Sequence, residues 1–250
     1  MIKINKGKTS LLLLLSASLI IFSLASLTAY PLAAQAACTK KQDFTLTVSP
    51  TSASLARGST GAFGITIASV CGLTGDIGWG VALTSPSSTT GLTIHQNTYH
   101  VLLSSTHTSG GGSFTISASQ TAALTSYTLT VTARDTTLGL THSVTASLII
   151  DDFTLTANPT SVKVATGQTA FSTITVTGEN GFSGTINYSF NEPSYVCNLQ
   201  PDPVALSSTT TSISSTLSCN FSSGTNTVNI SAAPNSGSPI RSVTVTITVS

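Results

Sequence analysis

The chain has 250 residues, of which 9 are Lys or Arg and 8 are Asp or Glu, so its formal net charge is +1. A balance this close to zero excludes the strong positive field that draws nucleic acids or anionic membranes to a protein. Charged residues make up only 7% of the chain, against about 25% in ordinary globular proteins. Since 40% of the residues are apolar, the composition favours a folded protein with a neutral, hydroxyl-rich, extracellular surface.

Residues 1–36 have the pattern of a secretory signal peptide. Three lysines precede an apolar run over residues 11–27, and residues 34–36 fit the small-residue cleavage rule. We expect cleavage there, with a mature chain starting near Ala37. Two alternatives remain open: the apolar run approaches the roughly 20 residues of a transmembrane anchor, and Cys38 follows the cleavage region as an acylated lipoprotein cysteine would.

The rest of the chain contains one unit in two copies. The motif Asp-Phe-Thr-Leu-Thr begins at Asp43 and again at Asp152, an offset of 152 − 43 = 109. The same offset relates further pairs: Gly58 and Gly167, Ile65 and Ile174, Gly72 and Gly181, and Gly75 and Gly184. We therefore expect two domains, residues 37–151 and 152–250, with almost no linker between them.

Apolar and polar residues alternate over short segments in both copies, which is the period of a half-buried strand. After residue 36 no segment has a sustained helical period. The segments predicted as strands are residues 44–48, 62–70, 76–83, 92–103, 113–119, 127–133 and 142–150 in the first copy, and 153–157, 170–178, 185–190, 195–199, 212–221, 226–232 and 241–249 in the second. Seven short strands per copy predict an all-β chain of two tandem immunoglobulin-like β-sandwiches.

The only tryptophan of the chain is predicted to lie in the core. Trp79 alternates with glycines and has Ile77 and Val81 as its apolar neighbours in the pattern. Tyr188 takes its place in the second copy, at the offset of 109. A large aromatic side chain in a core position is the simplest explanation of both.

Four cysteines in an exported chain allow three pairings. The domain boundary favours Cys38 with Cys71, and Cys197 with Cys219, because each disulfide then lies within one copy. If Cys38 carried a lipid, Cys71 would be left as an unpaired thiol.

No catalytic, cofactor or metal site is predicted. The four histidines, His95, His100, His107 and His142, match no compact metal-ligand spacing. The acidic pair Asp151-Asp152 stands at the domain boundary, but a Ca²⁺ site needs several convergent oxygens and no further acids cluster there. Glu179 and Glu192 give no basis for the paired carboxylates of a glycosidase.

The opening Asp-Phe-x-Leu-x-x-x-Pro-x-Ser, followed by Gly58 or Gly167 and by Gly181-Phe182-Ser183-Gly184 in the second copy, resembles the immunoglobulin-like or fibronectin-III-like repeats of bacterial and archaeal secreted and surface proteins. The resemblance covers residues 43–250. It implies a spacer, stalk or adhesive unit and carries no catalytic residues. The first copy departs from this pattern at residues 72–75, which read Gly-Leu-Thr-Gly. The difference affects the expected loop lengths more than the expected fold.

We therefore expect a non-enzymatic, secreted or cell-surface protein that acts in adhesion, display or as a spacer. Its partner would be a cell-surface protein or a polysaccharide, with membrane contact only through the N-terminal segment or a lipidated Cys38. One alternative is a carbohydrate-binding accessory module, in which Tyr99, Tyr127 or Tyr195 forms a platform of exposed aromatic rings. Another is an N-terminally anchored envelope lipoprotein, and a third is assembly through an open sheet edge.

Overall fold

The computed structural model describes residues 38, 40–86 and 88–250, so the predicted signal peptide lies outside the described residues. None of the described residues forms a helix with the length and hydropathy of a membrane span. The strands are β1 (Asp43–Ser49), β2 (Ser52–Ala56), β3 (Thr60–Val70), β4 (Gly75–Ser85), β5 (Leu92–Gln96), β6 (His100–Leu103), β7 (Ser109–Ala118), β8 (Ser126–Asp135), β9 (Leu140–Asn158), β10 (Ser161–Val164), β11 (Ala170–Glu179), β12 (Gly184–Phe190), β13 (Cys197–Gln200), β14 (Val204–Leu206), β15 (Ser212–Cys219), β16 (Gly224–Pro234) and β17 (Arg241–Val249).

These strands form two sandwiches with the same strand order. In the first, hereafter sandwich 1, the sheet β1-β3-β7-β5 faces the sheet β2-β9-β8-β4-β6. In the second, sandwich 2, the sheet β9-β11-β15-β13 faces the sheet β10-β17-β16-β12-β14. Each strand of sandwich 1 therefore has a counterpart in sandwich 2, and the tandem immunoglobulin-like fold is confirmed.

The strand β9 belongs to both sandwiches. Its first part pairs with β8 and, in parallel, with β2, over residues 140–151. Its second part pairs with β11 over residues 152–158. The last strand of sandwich 1 thus continues into the first strand of sandwich 2 without a loop, through the predicted domain boundary.

Each sandwich has more strands than the seven predicted from alternation. The short edge strands β2, β10 and β14 were missed, because segments of three to five residues show too little alternation. Residues 92–103 are two strands, because the chain leaves the first sheet after Gln96 and joins the opposite sheet at His100. β5 and β6 therefore lie in different sheets.

Two hydrophobic cores fill the sandwiches, and they meet on β9. Ile150 is the last member of one core and Phe153 is the first of the other. In sandwich 1 the rings of Phe63 and Phe114 stack with their centroids 5.1 Å apart. Trp79 and Tyr188 are both buried, as predicted.

Trp79 requires a glycine on the facing strand. A Cβ at Gly112 would lie 2.4 Å from Cζ2 of Trp79 and 2.6 Å from Oγ1 of Thr98. Gly80, beside Trp79 on β4, has open space where its Cβ would be. A side chain at position 112 would therefore clash with the core, whereas a side chain at position 80 would have room.

We expect Gly112→Ala to lower the free energy of unfolding by about 1–3 kcal/mol, because the added methyl group overpacks the core. The matched substitution Gly80→Ala should be neutral or stabilising by about 0.5–1 kcal/mol, since alanine loses less backbone entropy on folding. Chemical denaturation of both variants measures the difference. Equal stability of the two would contradict the packing described for Trp79.

Candidate functional site

Both predicted disulfides are present. Cys197 on β13 lies directly opposite Cys219 on β15 and is bonded to it. Cys38 and Cys71 are also disulfide-bonded, and no described cysteine is free, so these two form the other bridge. A thioether-linked lipid on Cys38 would require its sulfur atom to be outside this disulfide.

The three tyrosines proposed as ligand-facing do not form one surface. Tyr127 is only 2% exposed, so the expectation of an exposed ring was wrong: its side chain lies on the inner face of β8 and packs in the core. Tyr99 and Tyr195 are 62% and 86% exposed. They belong to sandwich 1 and sandwich 2, respectively.

The histidines do not assemble a metal site in the described part of the chain, where no group of three or more His, Cys, Asp or Glu side chains is found. His100 Nδ1 lies 3.1 Å from a carboxylate oxygen of Asp76. His107 Nδ1 contacts the hydroxyls of Ser104 and Thr106.

The Asp-Phe motif of the first copy holds the beginning of β1 in place. Oδ1 of Asp43 accepts a hydrogen bond of 2.8 Å from the backbone N–H of Phe44. The same oxygen lies 2.6 Å from Nε2 of His142, at the start of β9. The imidazole of His142 in turn contacts the ring of Phe44 edge-on, with 4.6 Å between the ring centroids. The aspartate thus connects the first and last strands of its sandwich.

The second copy repeats this arrangement with a stronger partner. Oδ1 of Asp152 accepts a 2.8 Å hydrogen bond from the backbone N–H of Phe153. Nη2 of Arg241 donates to both carboxylate oxygens of Asp152, at 2.6 and 2.5 Å. The guanidinium also lies 5.9 Å from the centroid of the Phe153 ring, within the range of a cation–π contact.

His142 and Arg241 occupy equivalent positions in the two sandwiches. His142 lies opposite Ala133 on β8, and Arg241 lies opposite Ala232 on β16. The offset is the same for both pairs, 241 − 142 = 99 and 232 − 133 = 99. The repeated motif therefore has one structural role, which is to pair its aspartate with a basic side chain on the last strand.

The environment of the pair differs between the copies. The side chains of Asp43 and His142 are 41% and 38% exposed, whereas that of Asp152 is 5% exposed. Asp152 is buried because sandwich 1 covers it: Nη1 of Arg57 lies 3.8 Å from its carboxylate. Sandwich 1 also contributes Gln120, whose Oε1 accepts a 3.0 Å hydrogen bond from Nη1 of Arg241.

Further hydrogen bonds tie the two sandwiches at this junction. Asn180, in a left-handed turn after β11, donates from Nδ2 to the carbonyl oxygen of Ile150 at 2.6 Å. The hydroxyl of Ser238 donates to the carbonyl oxygen of Gly58 at 3.3 Å. A Cβ at Gly58 would lie 2.3 Å from the amide nitrogen of Gln120. Gly58 also has a φ of 79°, a left-handed conformation that favours glycine at this turn.

Asp151 is the second buried acid of the junction. Its carboxylate is almost completely buried and accepts a hydrogen bond from the hydroxyl of Ser54. Burial raises the pKa of Asp151 above its ordinary value; the hydrogen bond from Ser54 opposes this shift, and the negative charge of Asp152 adds to it. At the neighbouring Asp152, Arg241 donates to both carboxylate oxygens. These oxygens are therefore not available as ligands for a Ca²⁺ ion.

A cleft of about 530 Å³ opens beside Asp151, between the two sandwiches. Sandwich 1 contributes β2 and the turn that follows it, and sandwich 2 contributes the turns before β12 and β17. The residues that line the cleft are Ser54, Leu55, Ala56, Gly58, Ser59, Thr60, Asp151, Phe182, Ser183, Pro234, Ser236 and Ser238. Half of them carry hydroxyl groups, and Asp151 is the only ionisable member. Sequence reasoning singled out Asp151 and Asp152 as a boundary pair but did not find the cleft, because its walls come from four separate segments.

Neither a protein-family model nor a curated protein sequence matches this chain. Among solved structures, it is similar to the D00-D0 domain of intimin, with 16% identity, a TM-score of 0.44, and 81% of this chain and 99% of that chain covered. The C-terminal domain of the Streptococcus agalactiae AgI/II polypeptide BspA shares 8% identity with a TM-score of 0.42, over 78% and 94% of the two chains. The fibronectin(III)-like modules of Clostridium thermocellum CbhA share 10% identity with a TM-score of 0.28, over 82% and 94%. At such low similarity, it is the strand order of the two sandwiches that identifies the fold.

We expect Arg241→Ala to lower the free energy of unfolding by about 3 kcal/mol, because it leaves the charge of Asp152 buried with only Arg57 nearby. The equivalent substitution His142→Ala removes a half-exposed partner of Asp43 and should cost at most about 1 kcal/mol. Urea denaturation at neutral pH measures both. Similar losses of unfolding free energy in the two variants would show that burial at the junction does not strengthen the Asp152–Arg241 pair relative to the Asp43–His142 pair.

The raised pKa of Asp151 predicts how stability changes with pH. An acid whose pKa is higher in the folded state adds stability below its unfolded value of 3.8, and this stability is lost as the pH rises through the folded value. Asp151→Asn should therefore be less sensitive to a rise from pH 4 to pH 7 than the unsubstituted chain. Ser54→Ala should be more sensitive, because the hydrogen bond that stabilises the carboxylate is gone. Denaturation midpoints at the two pH values test this, and identical pH dependence in all three proteins would refute it.

Proposed function

We propose that this chain is a non-enzymatic, secreted or cell-surface protein in which two immunoglobulin-like sandwiches form a rigid spacer for adhesion or display. The observation that carries the proposal is the continuous strand β9, which serves as the last strand of one sandwich and the first strand of the other. A spacer has to keep its two ends at a fixed separation, and a shared strand supports that requirement.

The hydrogen bonding of β9 resists bending at the junction. β9 has 19 residues, which correspond to about 60 Å of extended chain. It pairs with neighbours on both sides of the boundary, up to Asp151 in sandwich 1 and from Asp152 in sandwich 2. A hinge there would break ladder hydrogen bonds and separate the buried carboxylate of Asp152 from Arg57.

An extracellular location is supported by two properties of the chain. Disulfides persist in oxidising compartments, and all four cysteines are in bridges. Exposed hydroxyl groups pair across neighbouring strands, for example Thr132 with Ser143 and Thr175 with Ser214. Such a neutral surface does not depend on ion pairs that salt would screen.

The buried polar groups at the junction support a structural role rather than a catalytic one. Arg57 and Arg241 both form ion pairs with Asp152, and Asp151 accepts a hydrogen bond from Ser54. Of the tyrosines considered for a carbohydrate-binding platform, Tyr127 lies in the core, whereas Tyr99 and Tyr195 are exposed on different sandwiches.

The rigid spacer predicts that both sandwiches tumble as one body in solution. Backbone ¹⁵N relaxation of protein produced from the full-length chain should give the same rotational correlation time for amides of the two sandwiches. Insertion of Gly-Ser-Gly-Ser between Asp151 and Asp152 should interrupt β9 and make the two times diverge. If the uninterrupted protein already shows two separate correlation times, the spacer role fails.

A further inference from the structure

We propose that the cleft between the two sandwiches is a binding site for a neutral, polyhydroxylated ligand, namely a short segment of a saccharide. This cleft is separate from the exposed tyrosines. The proposal shares with the spacer role the fixed arrangement of the two sandwiches, but it does not require the chain to act in adhesion or display. It rests on the size of the cleft, on the hydrogen-bonding state of its hydroxyl groups, and on the single carboxylate that lines it.

The size and position of the cleft suit a small ligand. Its volume of about 530 Å³ lies within the roughly 300–1,000 Å³ of small-molecule sites, which occur preferentially at domain interfaces. Its walls are held by the junction: Asn180 fixes the turn that carries Phe182 and Ser183, and Ser238 is bonded to Gly58 on the opposite side. A site with fixed walls loses little entropy when a ligand binds.

Half of the six hydroxyl groups that line the cleft present only acceptor positions. Three of them already donate their protons within the protein: Ser54 to the carboxylate of Asp151, Ser236 to the carbonyl oxygen of Ser238, and Ser238 to that of Gly58. A hydroxyl group that has donated its proton still has lone pairs that accept hydrogen bonds. The cleft therefore favours a ligand with several O–H donors in close succession, as on a sugar ring.

The charge of the cleft points to a neutral ligand. The guanidinium groups of Arg57 and Arg241 face Asp152, so no cation remains to bind an anion, and the carboxylate of Asp151 would repel one. That carboxylate retains lone pairs that can accept from ligand hydroxyls. A sugar also has apolar C–H groups, which match the apolar residues of the lining, Leu55, Phe182 and Pro234.

The binding test is an NMR titration of protein produced from the full-length chain, with its disulfides intact. The probes are cellobiose, maltose and N,N′-diacetylchitobiose, each at millimolar concentration, with ethylammonium chloride as a cationic probe. At least one disaccharide should produce saturable amide shifts centred on Ser54, Ser59, Ser183 and Ser238. Absence of saturable shifts with every disaccharide, or saturation by ethylammonium alone, would overturn the proposal.

Two matched variants locate the site. Ser183→Trp places an indole in the cleft and should reduce the affinity for the bound disaccharide at least tenfold. Thr74→Trp adds the same side chain at the equivalent exposed turn of sandwich 1, since 183 − 74 = 109, and should leave the affinity unchanged. Unchanged binding by the Ser183→Trp protein, with its amide spectrum still that of a folded chain, would show that the saccharide binds elsewhere and refute the proposal.

A third variant tests the role of the carboxylate. Asp151→Asn keeps the shape of the side chain but replaces one acceptor oxygen by a donor, so the affinity for the disaccharide should fall several-fold. An equal or higher affinity would remove Asp151 from the site. The relaxation measurement on the uninterrupted chain is made without ligand, so a single correlation time together with no saccharide binding would refute the saccharide site and leave the spacer role standing.

Discussion

The buried ion pair between Asp152 and Arg241 is the interaction on which the arrangement of the two sandwiches depends. A carboxylate that is 5% exposed is costly unless a cation and hydrogen bonds compensate it. Arg241 supplies both from sandwich 2, and Arg57 and Gln120 of sandwich 1 complete the surroundings. Both sandwiches therefore contribute groups that stabilise the buried carboxylate of Asp152. The need for these groups fixes where the two sandwiches are in contact.

The same motif has different consequences in the two copies because its surroundings differ. At Asp43 the partner is a histidine and the pair is half-exposed, so it closes the end of one sandwich. At Asp152 the partner is an arginine, whose Nη2 donates to both oxygens of the carboxylate as charge-assisted hydrogen bonds. In the first copy the motif lies at one end of a sandwich, and in the second copy the same motif connects the two sandwiches.

Rigidity and ligand binding are compatible at this junction. The cleft exists only because β2 and its turn approach two turns of sandwich 2, and β9 keeps these segments at a constant separation. A flexible linker would leave the cleft without stable walls. The contacts that support the proposed spacer role thus also preserve the shape of the proposed saccharide site.

The sequence by itself determined the two copies and their all-β character, because alternation and internal repetition are local signals. It favoured one pairing of the four cysteines without deciding it. It also placed Trp79 and Tyr188 in the cores. Only the tertiary structure decided that residues 92–103 divide between two sheets and that Tyr127 is buried. It also decided that Arg57 and Arg241 converge on Asp152. The physical reason is that these features depend on which segments meet in space: Arg57 and Arg241 lie on separate sandwiches, and no periodicity in the chain relates them. The aspartate that marks the repeat was visible in the sequence, but its role at the junction was not.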